Sequence, residues 1–195
     1  MAFFRTVSFS EPLPVVEGDG VYLRAPQMND YGDWAELRES SRAFLTPWEP
    51  TWPADDLTRG AFRRRLRPLR RGPSNGPVLS VLPVPPRRPR AGWRRDLANI
   101  RRGVAQAGSV GYWMGARHAG QGQMTRGLRA LIPFAFATLR LHRLEAACIP
   151  SNAASIRLLE KTGFTREGYA REYLCINGLW QDHLLFAQLA GDLRR

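Results

Sequence analysis

The chain has 195 residues and a mass of 22.0 kDa, enough for one domain with a real core. Its hydrophobic share of 44% and charged share of 24% are those of a soluble globular protein, and no apolar run reaches membrane-spanning length. The net charge of +12 is mostly arginine, gathered in 62–71 (FRRRLRPLRR) and 87–95 (RRPRAGWRR). It points to nucleic acid, ribosomes or acidic cofactors, or more plainly to a solvated helix face.

The first fourteen residues, MAFFRTVSFSEPLP, lack the charged and long apolar regions of a signal peptide. Val21–Pro26 alternates apolar and polar residues and predicts a first strand. Asn29 or Asp30 can cap the next helix, with Trp34, Leu37 and Phe44 at loose helical spacing. Thr46–Pro53 (TPWEPTWP) ends that helix with three prolines and holds up Trp48 and Trp52. Asp55 or Asp56 can then cap a basic helix over 57–71. Residues 78–95, VLSVLPVPPRRPRAGWRR, hold four prolines and five arginines, a composition unsuited to central strands.

From residue 107 an apolar strand runs into the glycine pair Gly120 and Gly122, and an amphipathic helix begins near Met124. Leu128, Leu131, Ile132, Ala135, Phe136 and Leu139 form its apolar stripe, and Pro133 should kink or open it. Residues 143–149 suit a buried strand. Ser151 or Asn152 then caps a short helix that ends at Gly163. Residues 167–176 and 179–189 flank Asn177-Gly178, a strong hairpin signal. The order is that of a mixed α/β domain without internal repeats. Cys148 and Cys175 have no metal-ligand spacing, no His/Cys cluster implies a metal, and a reduced cytoplasmic setting is expected.

A glycine loop between a strand and a helix N-terminus can hold a phosphate: backbone N–H groups converge, the helix dipole adds positive charge, and missing Cβ atoms allow close approach. A Walker loop would need a lysine after Gly122, and a dinucleotide fingerprint would need glycine where Thr125 stands. The remaining common ligand is the diphosphate of coenzyme A.

At this point the chain resembles the GNAT superfamily of N-acetyltransferases, and within it the RimJ/RimL type that acetylates ribosomal-protein N-termini. The matching stretches are LRAPQMNDYGDWAELRESSRAFLTPWEPTW, GYWMGARHAGQGQMTRGLRALIPFAF, LHRLEAACIPSNAASIRLLEKTGFTREGYAREYL and INGLWQDHLLFA. The resemblance implies the GNAT fold, a mixed central sheet flanked by helices, as a single domain with its core over 18–190. It implies acetyl-CoA as co-substrate, with no metal. Its loop motif fits Arg117-x-x-Gly120-x-Gly122 literally, but Ala119, Gly120, Gln121, Gly122, Gln123 and Met124 place the second glycine at the helix start. Ala119 and Met124 depart from the motif, so a backbone cradle is expected there.

Acetyl transfer needs a neutral amine, a polarised thioester carbonyl and a proton for the departing thiolate. By resemblance, Trp113, Met114 and Gly115 bind pantetheine through their backbone, and Asn152 holds the same arm or merely caps its helix. Ser155 is the candidate thiolate acid, or bonds only locally. Much of the superfamily has a tyrosine acid seven residues beyond that asparagine; Leu159 stands there. Glu145 is a candidate base that steers a water onto the amine, or an edge carboxylate paired with Arg143. Asp182 and His183 are a second candidate for the base, with a buried structural histidine the plainer reading. Trp48 and Glu49 are expected at the acceptor mouth, Glu49 facing a cationic N-terminus or standing solvated beside an apolar plug.

The family fold demands a strand hairpin over 78–95, which the prolines and arginines are expected to disrupt. Codons for this stretch can be chosen so that reading one nucleotide later gives Ser-Tyr-Arg-Phe-Phe-Leu-Phe-Arg-Arg-Asp-Asp-Arg-Ala-Leu-Val-Gly-Gly. A compensated frameshift near Pro77 and Arg95 is one explanation; a Pro/Arg-rich loop insertion is the other. The expected function is acetyl transfer from acetyl-CoA to the N-terminal α-amine of a ribosomal protein, with ribosome or RNA contact through the basic helix and no membrane partner. The alternatives are a small-molecule amine acetyltransferase (antibiotic or polyamine) and a non-catalytic acyl-CoA- or RNA-binding module.

Overall fold

The computed structural model describes residues 16–18, 21–66, 79–84 and 93–194. The described strands are β1 (Val16–Gly18), β2 (Val21–Arg24), β3 (Leu79–Val84), β4 (Trp93–Arg101), β5 (Ala107–Met114), β6 (Arg143–Cys148), β7 (Thr165–Ile176) and β8 (Leu179–Leu189). They form one sheet in the order β1-β2-β3-β4-β5-β6-β8-β7. Among these pairs β5 and β6 alone are parallel. A parallel pair needs a long crossover, and helix α4 (Gln123–Pro133) provides it. The expected mixed sheet flanked by helices is what the chain builds.

The β5–β6 pairing covers only Ala107–Ser109 against Arg143–Glu145. Elsewhere β4 follows β5 to Met114, and β8 follows β6 to Cys148. The two parallel strands therefore part after Ser109 and Glu145, and a wedge opens in the middle of the sheet.

Helix α4 forms the core as its stripe predicts. Leu128, Leu131, Ile132, Ala135, Phe136 and Leu139 are all buried, in one cluster with Leu97, Val110, Leu144 and Phe186 of the sheet. Each large apolar side chain buried this way stabilises by about 1.5–3 kcal/mol. After Pro133 the next turn, Phe134–Thr138, is π-helical, and Leu139 N donates to Phe134 O at 3.1 Å. The expected opening therefore appears in the turn that follows Pro133.

Three short helices, α1 (Tyr31–Ser40), α2 (Arg42–Leu45) and α3 (Arg59–Leu66), make a second packing unit. Trp34 of α1 meets Phe62 of α3 with ring centroids 4.8 Å apart. Phe44, expected on the same apolar face as Trp34 and Leu37, is instead 44% exposed. The helix breaks at Ser41, so α2 no longer keeps the helical phase of α1. The caps also differ from expectation. Asp30 stands at the N-cap of α1, yet its carboxylate serves Arg24 and the Gln27 N–H. Thr58 caps α3, accepting from Ala61 N at 3.1 Å, while Asp55 and Asp56 pair with Arg64 and Arg65. Residues 67–71 of the expected basic helix lie outside the described residues.

The expected disruption of the 78–95 hairpin is corrected. Strand β3 pairs with β4 from Leu79 to Val81 and with β2 from Leu82 to Val84. Pairing is a tertiary matter, and a strand can hold a proline where it has a neighbour on one side only. Pro83 stands at such a place, opposite Leu23 and past the last β4 pair. Residues 85–92 lie outside the described residues.

Candidate active site

The loop after β5 has the conformation its glycines suggest. Gly120 and Gly122 sit at φ 74° and 70°, in the left-handed region where L side chains are strained. A Cβ built on either would meet nothing within 4 Å, so both face open space. Gly122 is the N-cap of α4 and accepts from Arg126 N at 3.1 Å. The next residues, Gln123 and Met124, begin the helix, whose first-turn N–H groups and dipole favour an anion. The Met124 side chain is buried and packs with Val21, Tyr112, Met114 and Leu158, which pins the helix start.

Ala119 differs from its expected part in the cradle. Its N–H donates to Ala116 O at 3.2 Å, closing a short turn, so that amide is already used within the loop. The Gln121 side chain also folds back, Nε2 donating to Arg117 O at 2.9 Å. His118, next to Arg117, is held below the usual imidazole pKa, first by burial and then by the Arg117 charge.

Trp113, Met114 and Gly115 lie at the end of β5, beyond the last residue paired with β6. Gly115 is buried against Leu37 of α1, and Ala116 N donates to Ser41 Oγ at 3.0 Å. Gly111, on the same strand, is exposed with nothing within 4 Å of a Cβ. The wedge thus has an open backbone edge on one side.

Helix α5 (Ala153–Lys161) starts on its other side. Asn152 caps it, Oδ1 accepting from Ser155 N at 3.0 Å, so the helix-capping reading of Asn152 holds. Ser155 Oγ lies 2.6 Å from the phenol oxygen of Tyr112 on β5. Sequence reasoning missed this tyrosine, because strand alternation reports a face and not a partner. Cys148, at the end of β6, has its thiol pKa pushed up by burial, and the Ser155 hydroxyl counters that rise. Leu159 is wholly buried.

Two expected carboxylates have other work. Glu145 accepts from Arg101 and, at 3.0 Å, from Arg143 Nε, at the closed end of the wedge. The paired-carboxylate reading therefore describes it, and the base role loses its footing because both oxygens serve guanidinium groups. Glu49 accepts from Arg38 at 2.6 and 3.1 Å and from Trp52 Nε1 at 2.8 Å. Arg38 is itself 4% exposed, with its guanidinium carbon 4.1 Å from the Trp52 ring centre and 5.0 Å from that of Trp113. Glu49 thus ties the loop to α1, and its oxygens are not turned outward for an amine. Trp48 stays 37% exposed. The loop touches the β7–β8 hairpin, where Asn177 N donates to Glu49 O at 2.9 Å. His183 is buried with Nδ1 2.9 Å from Gln181 O, and Asp182 binds the Tyr169 hydroxyl and Glu172 N; neither is arranged as a base.

The residues present fit coenzyme A: two left-handed glycines over open space, a helix N-terminus behind them, and a strand edge that β6 leaves after Ser109, leading to a hydroxyl pair. Residues 21–165 match the acetyltransferase (GNAT) domain model. The chain is 30% identical over 174 residues to the [ribosomal protein uS5]-alanine N-acetyltransferase of Escherichia coli, covering 89% of this chain and 90% of that one. It is 44% identical to the probable N-acetyltransferase YjcK of Bacillus subtilis, but over half of this chain (50%) and 54% of the relative. The RimJ structure of Mycobacterium smegmatis in complex with CoA-disulfide superposes with a TM-score of 0.84 at 26% identity, covering 96% of this chain and 91% of that one. No helix among the described residues is long and apolar enough to cross a membrane. The chain belongs to the GNAT acetyltransferase family, in its RimJ/RimL type, and is an acetyl-CoA-dependent N-acetyltransferase.

Proposed function

We propose that this chain transfers the acetyl group of acetyl-CoA to the N-terminal α-amine of a ribosomal protein in the cytoplasm, by direct attack in a ternary complex. The observation that carries the choice of acceptor is the near full-length likeness to the Escherichia coli uS5-alanine enzyme. The backbone of Gly120–Met124 holds the diphosphate, and the open edge at Trp113–Gly115 holds the pantetheine arm, where an N–H polarises the thioester carbonyl. Asn152 keeps Ser155 at the head of α5, and Ser155 protonates the sulfur as it leaves. Trp48 flanks the acceptor mouth beside the β7–β8 hairpin.

A ribosome or RNA contact through α3 has weaker support than the sequence suggests. Arg64 and Arg65 are paired with Asp55 and Asp56, which removes two of its cations from the surface field.

The test is to incubate the protein with acetyl-CoA and a panel of N-terminal peptides while following free thiol. Peptide-dependent thiol release is expected. Release with polyamines or aminoglycosides alone moves the acceptor to small molecules. Tight CoA binding without any release makes the chain a binding module.

A further inference from the structure

We propose that Tyr112 is a positioning residue for acetyl transfer: its phenol donates to Ser155 Oγ and so aims the serine's one proton at the departing sulfur. The inference rests on the acetyl-transfer reading above and adds a residue from the opposite wall of the wedge.

The geometry carries it. Tyr112 is on β5 and Ser155 on α5, and their oxygens are 2.6 Å apart across the gap between the parted strands. Both ends are fixed. The Ser155 backbone is held by the Asn152 cap, and the Tyr112 ring packs against Val21 and Met124. A serine hydroxyl has a single proton. If Ser155 gave it to the phenol, none would remain for a thiolate; if the phenol gives its own, the serine proton is available. One turn further along α5, at i+4 from Ser155, stands Leu159, which is apolar and wholly buried.

The proton and electron balance is complete within the pair and the acceptor. The amine nitrogen attacks the thioester carbon, a C–N bond forms, and the C–S bond breaks with its electron pair going to sulfur. Ser155 Oγ–H protonates the sulfur, and Tyr112 O–H reprotonates the serine. The proton lost by the attacking nitrogen returns to the phenol through water.

Two measurements test it. The first is thiol release by wild type, Y112F, S155A and the double variant. Y112F is expected to lower kcat about tenfold or more while KM for acetyl-CoA stays within about twofold. The double variant should be no slower than S155A, because the two hydroxyls act in series. The second needs no turnover: the thiol of bound CoA, followed by thiolate absorbance, should titrate at lower pH on wild type than on Y112F. A kcat loss with an unchanged thiol titration marks a merely structural tyrosine and overturns the proposal, as does independent, multiplying loss in the double variant. If Y112F does not fold, Tyr112→3-fluorotyrosine keeps the shape and makes the phenol more acidic. The high-pH fall of kcat should then move to lower pH, and an unmoved limb overturns the proposal. Wild type that binds CoA but releases no thiol defeats the transfer reading and this role together. Wild-type turnover with an unaffected Y112F defeats this role alone.

Discussion

Gly115, at the end of the strand proposed to hold pantetheine, lies directly against Leu37 of α1. A Cβ at Gly115 would fall 2.6 Å from Leu37 Cγ, well inside contact distance. Leu37 is 1% exposed and cannot swing aside. Gly115→Ala should therefore destabilise by about 1–3 kcal/mol, as overpacked cores do, and weaken CoA binding by shifting the strand end. Urea unfolding and calorimetry read the two effects. Leu37→Ala in the same chain should recover part of both, and full additivity of the two losses would show that the contact is not the cause.

The glycine cradle separates strain from ligand contact. Gly122→Ala places a Cβ at φ 70°, which costs about 1–2 kcal/mol of folding stability, whereas Gly122→Asn costs less because asparagine tolerates this region. Neither side chain's Cβ meets protein atoms. Both variants should lose CoA affinity by about tenfold or more, roughly 1.4 kcal/mol, whatever their stability. Wild-type affinity in both would remove the diphosphate from this loop.

The parts of this fold that the sequence announces are those governed by local rules. The α4 stripe, the Pro133 opening, the Asn177-Gly178 turn and the Asn152 cap each depend on residues within a turn or two. Glu145 and Tyr112 show the limit. Glu145 meets Arg101 and Tyr112 meets Ser155 only because the sheet brings distant strands together. The same holds for Glu49, whose type suits an acceptor amine but whose oxygens are claimed by Arg38 from the preceding helix. A residue's type states what it can bind, and the topology decides what reaches it first.

Arg38 is the centre of a buried ionic group. It pairs with Glu49 at 2.6 Å and approaches Asp56 at 3.6 Å, while both carboxylates are largely shielded from water. Removing one partner of a buried pair leaves a charge uncompensated, which costs about 3–5 kcal/mol. Arg38→Leu should lose stability on that scale in urea unfolding. Arg38→Lys should lose less, though still measurably, because lysine cannot make the two parallel bonds to Glu49. An Arg38→Leu protein as stable as wild type would mean that the group is solvated.

Acid weakens a different pair. The Arg143 guanidinium holds the Glu167 carboxyl below the usual carboxylate range. A lowered folded-state pKa means that the unfolded chain binds the proton first. The pair therefore stabilises above the ordinary glutamate pKa of about 4.3 and loses its effect as pH falls through the folded value. Glu167 is 42% exposed, so at pH 7 Glu167→Gln should cost less than about 1 kcal/mol. The difference between wild type and variant should shrink steadily as unfolding is measured at pH values further below the ordinary glutamate pKa. A difference that grows on acidification would contradict the sign.

Strand β3 occupies Leu79–Val84, the six places where the shifted reading frame writes Tyr-Arg-Phe-Phe-Leu-Phe. The present residues still pair there, but Pro83 has no N–H to offer, and a run rich in aromatic side chains suits a pleated, half-buried surface better. The frameshift and the observed strand are thus compatible: an altered segment can keep the backbone path and lose stability. Replacing residues 78–94 by the shifted-frame sequence should raise the melting temperature by roughly 5 °C or more and increase peptide-dependent thiol release. The coding DNA between Pro77 and Arg95 supplies the independent check, since its codons must spell that run when read one nucleotide later. If they cannot, or if the replaced chain melts no higher, the Pro/Arg-rich segment is a native insertion and the sheet is built to carry it.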